Sequence, residues 1–74
     1  MEKEIIEEWL KNNSNKNKVI KIITYKDSVY TVTKILNLND TIDFLDIKGA
    51  LVSFPLSDIK KLVAEEWYGN KQNN

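Results

Sequence analysis

The sequence predicts an α+β domain: a four-stranded antiparallel β-meander flanked by an N-terminal and a C-terminal helix. Three observations predict it. Residues 2–11 and 58–68 carry apolar side chains at helical spacing. Residues 18–56 are rich in β-branched and aromatic residues, in runs cut by short turn-forming groups. The chain has 74 residues, room for one domain only.

The first helix is expected over EKEIIEEWLK, with Ile5, Ile6, Trp9 and Leu10 as its apolar stripe. Glu2 and Glu4 suit the positive end of a helix dipole. The polar run Asn12 to Asn17 ends it. Val19 to Tyr25 reads as the first strand and Lys26-Asp27-Ser28 as a turn. Val29 to Leu38 reads as the second strand, with Tyr30, Val32, Leu36 and Leu38 on one face. Asn39-Asp40 is a two-residue turn of the kind that tolerates positive φ. In the third strand, Thr41 to Lys48, alternation breaks: Ile42 and Phe44 share one face, Leu45 and Ile47 the other. A bulge near Phe44-Leu45 would reconcile them. Gly49 makes the next tight turn. Ala50 to Leu56 is the fourth strand, with Pro55 confining it to an edge or ending it there. Ser57 is a suitable N-cap for the second helix, whose buried stripe would be Ile59, Leu62, Val63 and Trp67. Gly69 stops that helix. The domain thus spans residues 1–69, and residues 70–74 form a polar tail expected to be disordered. With apolar residues on both faces of strands two and three, the meander is expected to curl into a small SH3-like barrel. An open curled sheet is the alternative.

Composition removes several kinds of chemistry. There is no cysteine and no histidine, so disulfides, thiolate metal sites and histidine-based triads are out of reach. A domain this small buries only about 60% of its unfolded surface, and small scaffolds commonly lean on a partner subunit. Self-association is therefore expected. Deep pockets of roughly 300 Å³ or more are hard to build at this size. Net charge is zero and every basic residue is lysine. Without arginine, bidentate readout of guanine or phosphate is weakened. Abundant lysine, asparagine and isoleucine suit an AT-rich bacterial or phage genome. The first ten residues are acidic and amphipathic, unlike a secretory signal, and no apolar run approaches about 18 residues. The expected setting is cytoplasmic, with no membrane partner.

Two groups of residues are candidate sites. Six lysines and one acid lie between residues 11 and 34, which suggests a basic first hairpin. Lys18, Lys21, Tyr25, Lys26, Tyr30 and Lys34 form the candidate nucleic-acid patch, with tyrosines as stacking platforms. The competing reading is a solvated edge that discourages strand pairing. Trp9, Trp67 and Tyr68 are the candidate interaction residues, because such side chains are enriched at binding hot spots; core packing competes for the tryptophans. Asp40, Asp43 and Asp46 alternate faces on a strand and cannot converge on one ion. Glu65 and Glu66 beside Trp67 lie where water would reach them, so a glycosidase acid is rejected.

The run VYTVTKILNLNDTIDFLDIKGALVSFPLSDIKKL resembles the end of YolD-like domains and, more loosely, Sm-like barrels. In them a phenylalanine before an Asp-Ile pair closes the last strand; Phe54, Asp58 and Ile59 are the matching positions. The resemblance covers about half the chain. It implies a small bacterial accessory protein with an Sm-like barrel that acts through other proteins, and it carries over no catalytic residue. The expected function is therefore non-enzymatic protein–protein binding without a cofactor, through a sheet edge or an exposed helix face. Nucleic-acid or nucleotide binding by the first hairpin is the alternative.

Overall fold

The described residues form one helix, one 3-10 turn and one five-stranded antiparallel sheet. The computed structural model describes residues 1–14 and 17–66. Helix α1 (Lys3–Asn13) precedes β1 (Lys18–Thr24), β2 (Val29–Leu38), β3 (Thr41–Asp46) and β4 (Leu51–Pro55). A 3-10 turn (Leu56–Asp58) leads into β5 (Ile59–Glu66). The sheet order is β4-β3-β2-β1-β5.

This corrects the expected fold. Among the described residues there are five strands rather than four, and residues 59–66 of the segment read as a C-terminal helix form β5. Ser57 lies within the 3-10 turn instead of capping a helix. The physical reason is the second side of β1. Had residues 59–66 coiled into a helix, the apolar strand KVIKIIT would have kept an unpaired edge. Pairing with β5 along its whole length satisfies that edge, from Lys18 opposite Glu66 to Thr24 opposite Ile59. The gain from tertiary pairing outweighs the helix propensity of lysine, leucine, alanine and glutamate.

Bulges decide which side chains turn inward. Ile23 pairs with Lys61 and Thr24 with Ile59, so Lys60 is an extra residue in β5. Ile59 and Leu62 therefore both reach the core though three positions apart. In β2 the extra residues are Thr33 and Leu36, since Val32, Lys34, Ile35 and Asn37 oppose Asp46, Leu45, Phe44 and Asp43. The bulge expected near Phe44-Leu45 thus lies on the partner strand. It turns Ile35 inward and leaves Leu36 half exposed, reversing the expected face. The Thr33 hydroxyl, 2.9 Å from the Leu45 carbonyl, fastens the first irregularity.

The sheet is strongly curled. β4 and β5 occupy opposite edges of five strands, which in a flat sheet would lie about 19 Å apart. Yet the chain from Pro55 to Ile59 reaches at most about 14 Å. Curling brings the start of β5 to the β1–β2 turn, where the Tyr25 N–H donates to the Asp58 carbonyl at 3.1 Å. Inside the curl lie Ile6, Ile22, Ile42, Phe44, Leu56 and Ile59, all buried. Helix α1 covers the inner face with Ile6 and Leu10, while Ile5 and Trp9 turn outward. The expected single stripe is thus split between two faces. Trp67, Tyr68, Lys16 and the 70–74 tail lie outside the described residues.

Candidate functional site

The two edges of the sheet differ in chemistry. The register of β3 with β4 places Asp46 opposite Ala50 and Asp40 opposite Leu56, and the ladder bonds Asp46 N–H to Ala50 C=O and Leu56 N–H to Asp40 C=O fix its phase. Backbone groups of Val52 and Phe54 therefore point at β3, and those of Leu51, Ser53 and Pro55 point away from it. Among the described residues β4 has no strand on that side. Pro55, which lacks an N–H, falls at an outward position and costs the β3–β4 ladder nothing. The free edge offers the N–H groups of Leu51 and Ser53 and the carbonyls of Leu51, Ser53 and Pro55.

No charge guards this edge. Residues 49–57, GALVSFPLS, form the longest uncharged run in the chain. Leu51 is 67% exposed and Ile47, in the β3–β4 turn, 60%. At the other edge, β5 carries exposed Lys60, Lys61, Glu65 and Glu66, the arrangement by which proteins discourage strand pairing.

Beside β4 lies a cleft of about 260 Å³. The β1–β2 hairpin forms one wall, through Thr24, Tyr25, Lys26, Ser28 and Tyr30. Val52, Ser53 and Phe54 form the other, and Asp58 stands at the rim. Its aromatic side is well packed. Tyr30 packs on Phe54 at 5.4 Å and edge-on to the buried Phe44 at 6.0 Å between ring centroids. The hairpin turn is closed by backbone: Asp27 takes φ 65, and its N–H donates to the Thr24 carbonyl at 2.9 Å. Lys26 and Asp58 contribute one charge of each sign, so the cleft has no net electrostatic preference.

The structure divides the candidate nucleic-acid patch. It brings Tyr25, Lys26 and Tyr30 together in this cleft. Lys18, Lys21 and Lys34 stand elsewhere. Lys21 forms an ion pair with Glu65 at 3.0 Å, Lys18 is the register partner of Glu66, and Lys34 lies on β2 opposite Leu45. The charge of Lys21 is thus neutralised across the β1–β5 pair, and Lys18 lies beside a carboxylate there. Trp9 is half-buried and shares an outward groove of about 400 Å³ on α1 with Ile5, Glu4, Glu8 and Asn12. The three aspartates have separate structural partners. Asp43 accepts from Thr41 and Ser53, Asp46 from the N–H groups of Lys48 and Ala50, and the Asp40 carbonyl from Leu56 N–H.

Sequence reasoning placed no functional residue on β4. The uncharged run and Pro55 are the available signals, but without strand order they do not separate an edge strand from a strand that simply ends at the proline. Compared with family models, with curated proteins and with solved structures, the chain matches none. Among the described residues no helix is long and apolar enough to cross a membrane.

Proposed function

We propose that this is a small non-enzymatic accessory protein, of the kind the YolD-like and Sm-like resemblance implies, that binds another protein by strand addition at β4. The observation that carries the reading is the outward, uncharged row of backbone groups at Leu51, Ser53 and Pro55. In strand addition main-chain hydrogen bonds supply affinity, and pockets for alternate side chains supply specificity. The cleft beside Ser53 is such a pocket. Its aromatic walls and balanced rim suit an apolar or aromatic side chain from the incoming segment. A photo-crosslinking amino acid placed at Leu51, with a control at Lys61 on β5, tests this in the producing cell. The expected outcome is a discrete crosslink to a different protein from position 51 and none from position 61. Equal, diffuse labelling from both positions would remove the reading.

One observation favours a second reading. Tyr25, 67% exposed beside Lys26, is placed to stack a single base at the mouth of the cleft. Retention on single-stranded oligonucleotide that weakens steeply with salt is its expected signature. The pairing of Lys21 with Glu65 weighs against it.

A further inference from the structure

The free edge of β4 is complementary to itself. An antiparallel pair of β4 strands related by a two-fold axis through Ser53 sets Ser53 opposite Ser53, Leu51 opposite Pro55, and Val52 opposite Phe54. The outward phase of Leu51, Ser53 and Pro55 makes the first two of these hydrogen-bonded positions. Each Ser53 N–H then meets the Ser53 carbonyl of the second copy, and each Leu51 N–H meets a Pro55 carbonyl. Every outward donor on both strands finds an acceptor. The missing proline N–H faces only a Leu51 carbonyl, which keeps its access to water at the end of the strand. No charge is brought opposite another, since residues 49–57 contain none. The side chains agree as well. Leu51 packs against Pro55 on the outer face, and Val52 against Phe54 on the inner face.

We infer that a second copy of this chain occupies the β4 edge when no other partner does, forming a two-fold dimer with a continuous ten-stranded sheet. This rests on the strand-addition reading and names the occupant of the same edge. The interface is isologous, so it closes at two copies and does not propagate. β5 cannot replace β4 in this role, because the exposed Lys60, Lys61, Glu65 and Glu66 guard that edge. Five residues a side make a small interface, so the dimer is weak and concentration-dependent. Dimerisation covers Leu51 and leaves α1 and its groove free. A heterologous strand entering at β4 displaces the second copy, so assembly and partner binding exclude one another.

Sedimentation equilibrium of the full chain from low micromolar to near-millimolar concentration tests this, together with amide hydrogen exchange at both ends of that range. The expected result is a monomer–dimer equilibrium, with Leu51 and Ser53 amides more protected at high concentration. Ser53→Pro deletes both central donors and is expected to weaken the dimer roughly thirtyfold, two bonds at about 1 kcal/mol each. Ser53 also donates its hydroxyl to Asp43, so circular dichroism checks that this variant folds. Leu51→Lys leaves that bond alone and is expected to abolish dimerisation by opposing a charge to the apolar edge. A monomer at every concentration overturns the dimer, and so does a dimer that both variants leave intact. Heterologous crosslinks from position 51 on a strictly monomeric chain would reject the dimer while leaving strand addition standing. Absence of any discrete crosslink from position 51, to a second copy or to another protein, would reject strand addition itself.

Discussion

Asp46 shows how a single side chain ends one strand and starts the next. Its Oδ1 accepts hydrogen bonds from the backbone N–H groups of Lys48 and Ala50, both at 2.9 Å. Its own carbonyl receives the N–H of Gly49, which sits at φ 83. Two donors that the turn would otherwise expose are satisfied by one carboxylate, while glycine takes the left-handed position. That turn fixes the register of β3 with β4 and hence which backbone groups of β4 face outward. Asp46→Ala is expected to lower the unfolding free energy by about 1 kcal/mol, read from the urea midpoint at constant slope. Asp46→Asn keeps an acceptor oxygen and should retain most of it. Asp27 makes the contrasting case. Its positive φ is tolerated because aspartate adopts that region more readily than most residues, and its exposed pairing with Lys60 adds little.

At the scale of elements, bulges explain why the sequence of one strand imitates a helix while that of another does not. In a regular strand inward residues recur every second position; one extra residue turns a spacing of two into three. Ile59 and Leu62 straddle the bulge at Lys60, so they carry the spacing of a helix. The same disguise affects β2, where Tyr30, Val32, Ile35 and Leu38 face the core at spacings of two, three and three. There valine, threonine, tyrosine and isoleucine still declare a strand; around residues 60–66 lysine, alanine and glutamate do not. Lys61→Thr separates the two conformations. Lys61 lies exposed opposite Ile23, and in a strand threonine there should raise stability by a few tenths of a kcal/mol. In a helix it would lower stability by about as much. The thermal midpoint of the variant against the parent gives the sign.

For the whole molecule, the constraint is size. A domain of this length has a total stability of about 4–10 kcal/mol, drawn from a small set of buried side chains around Phe44. Phe44 is fully buried and in edge contact with both Tyr30 and Phe54. Phe44→Ala should cost about 3–5 kcal/mol, much of that total, and leave a broad unfolding transition without a defined baseline. Phe44→Leu should cost less and keep a cooperative transition at a lower urea midpoint. Curling concentrates this core and also creates the site. With the two edges drawn round by the 3-10 turn and the sheet not closed between them, the cleft opens where β4 passes the β1–β2 hairpin.

By itself the sequence determined the N-terminal helix, four of the strands, the turns between them, and the exclusion of cysteine and histidine chemistry. Each is local: periodicity, β-branching and turn residues act over a few positions. Only the tertiary structure decided the fifth strand, because the free side of β1 was worth more to residues 59–66 than their own helical preference. It also decided that β4 is an edge, and that Tyr25, Lys26 and Tyr30 meet Phe54 and Asp58 while Lys18, Lys21 and Lys34 stand apart. Strand order and curl are non-local properties, set by which pairings bury the most apolar surface and leave the fewest backbone groups unbonded. The proposed binding edge belongs to that order, and β4 itself signals it only through Pro55 and its missing charges.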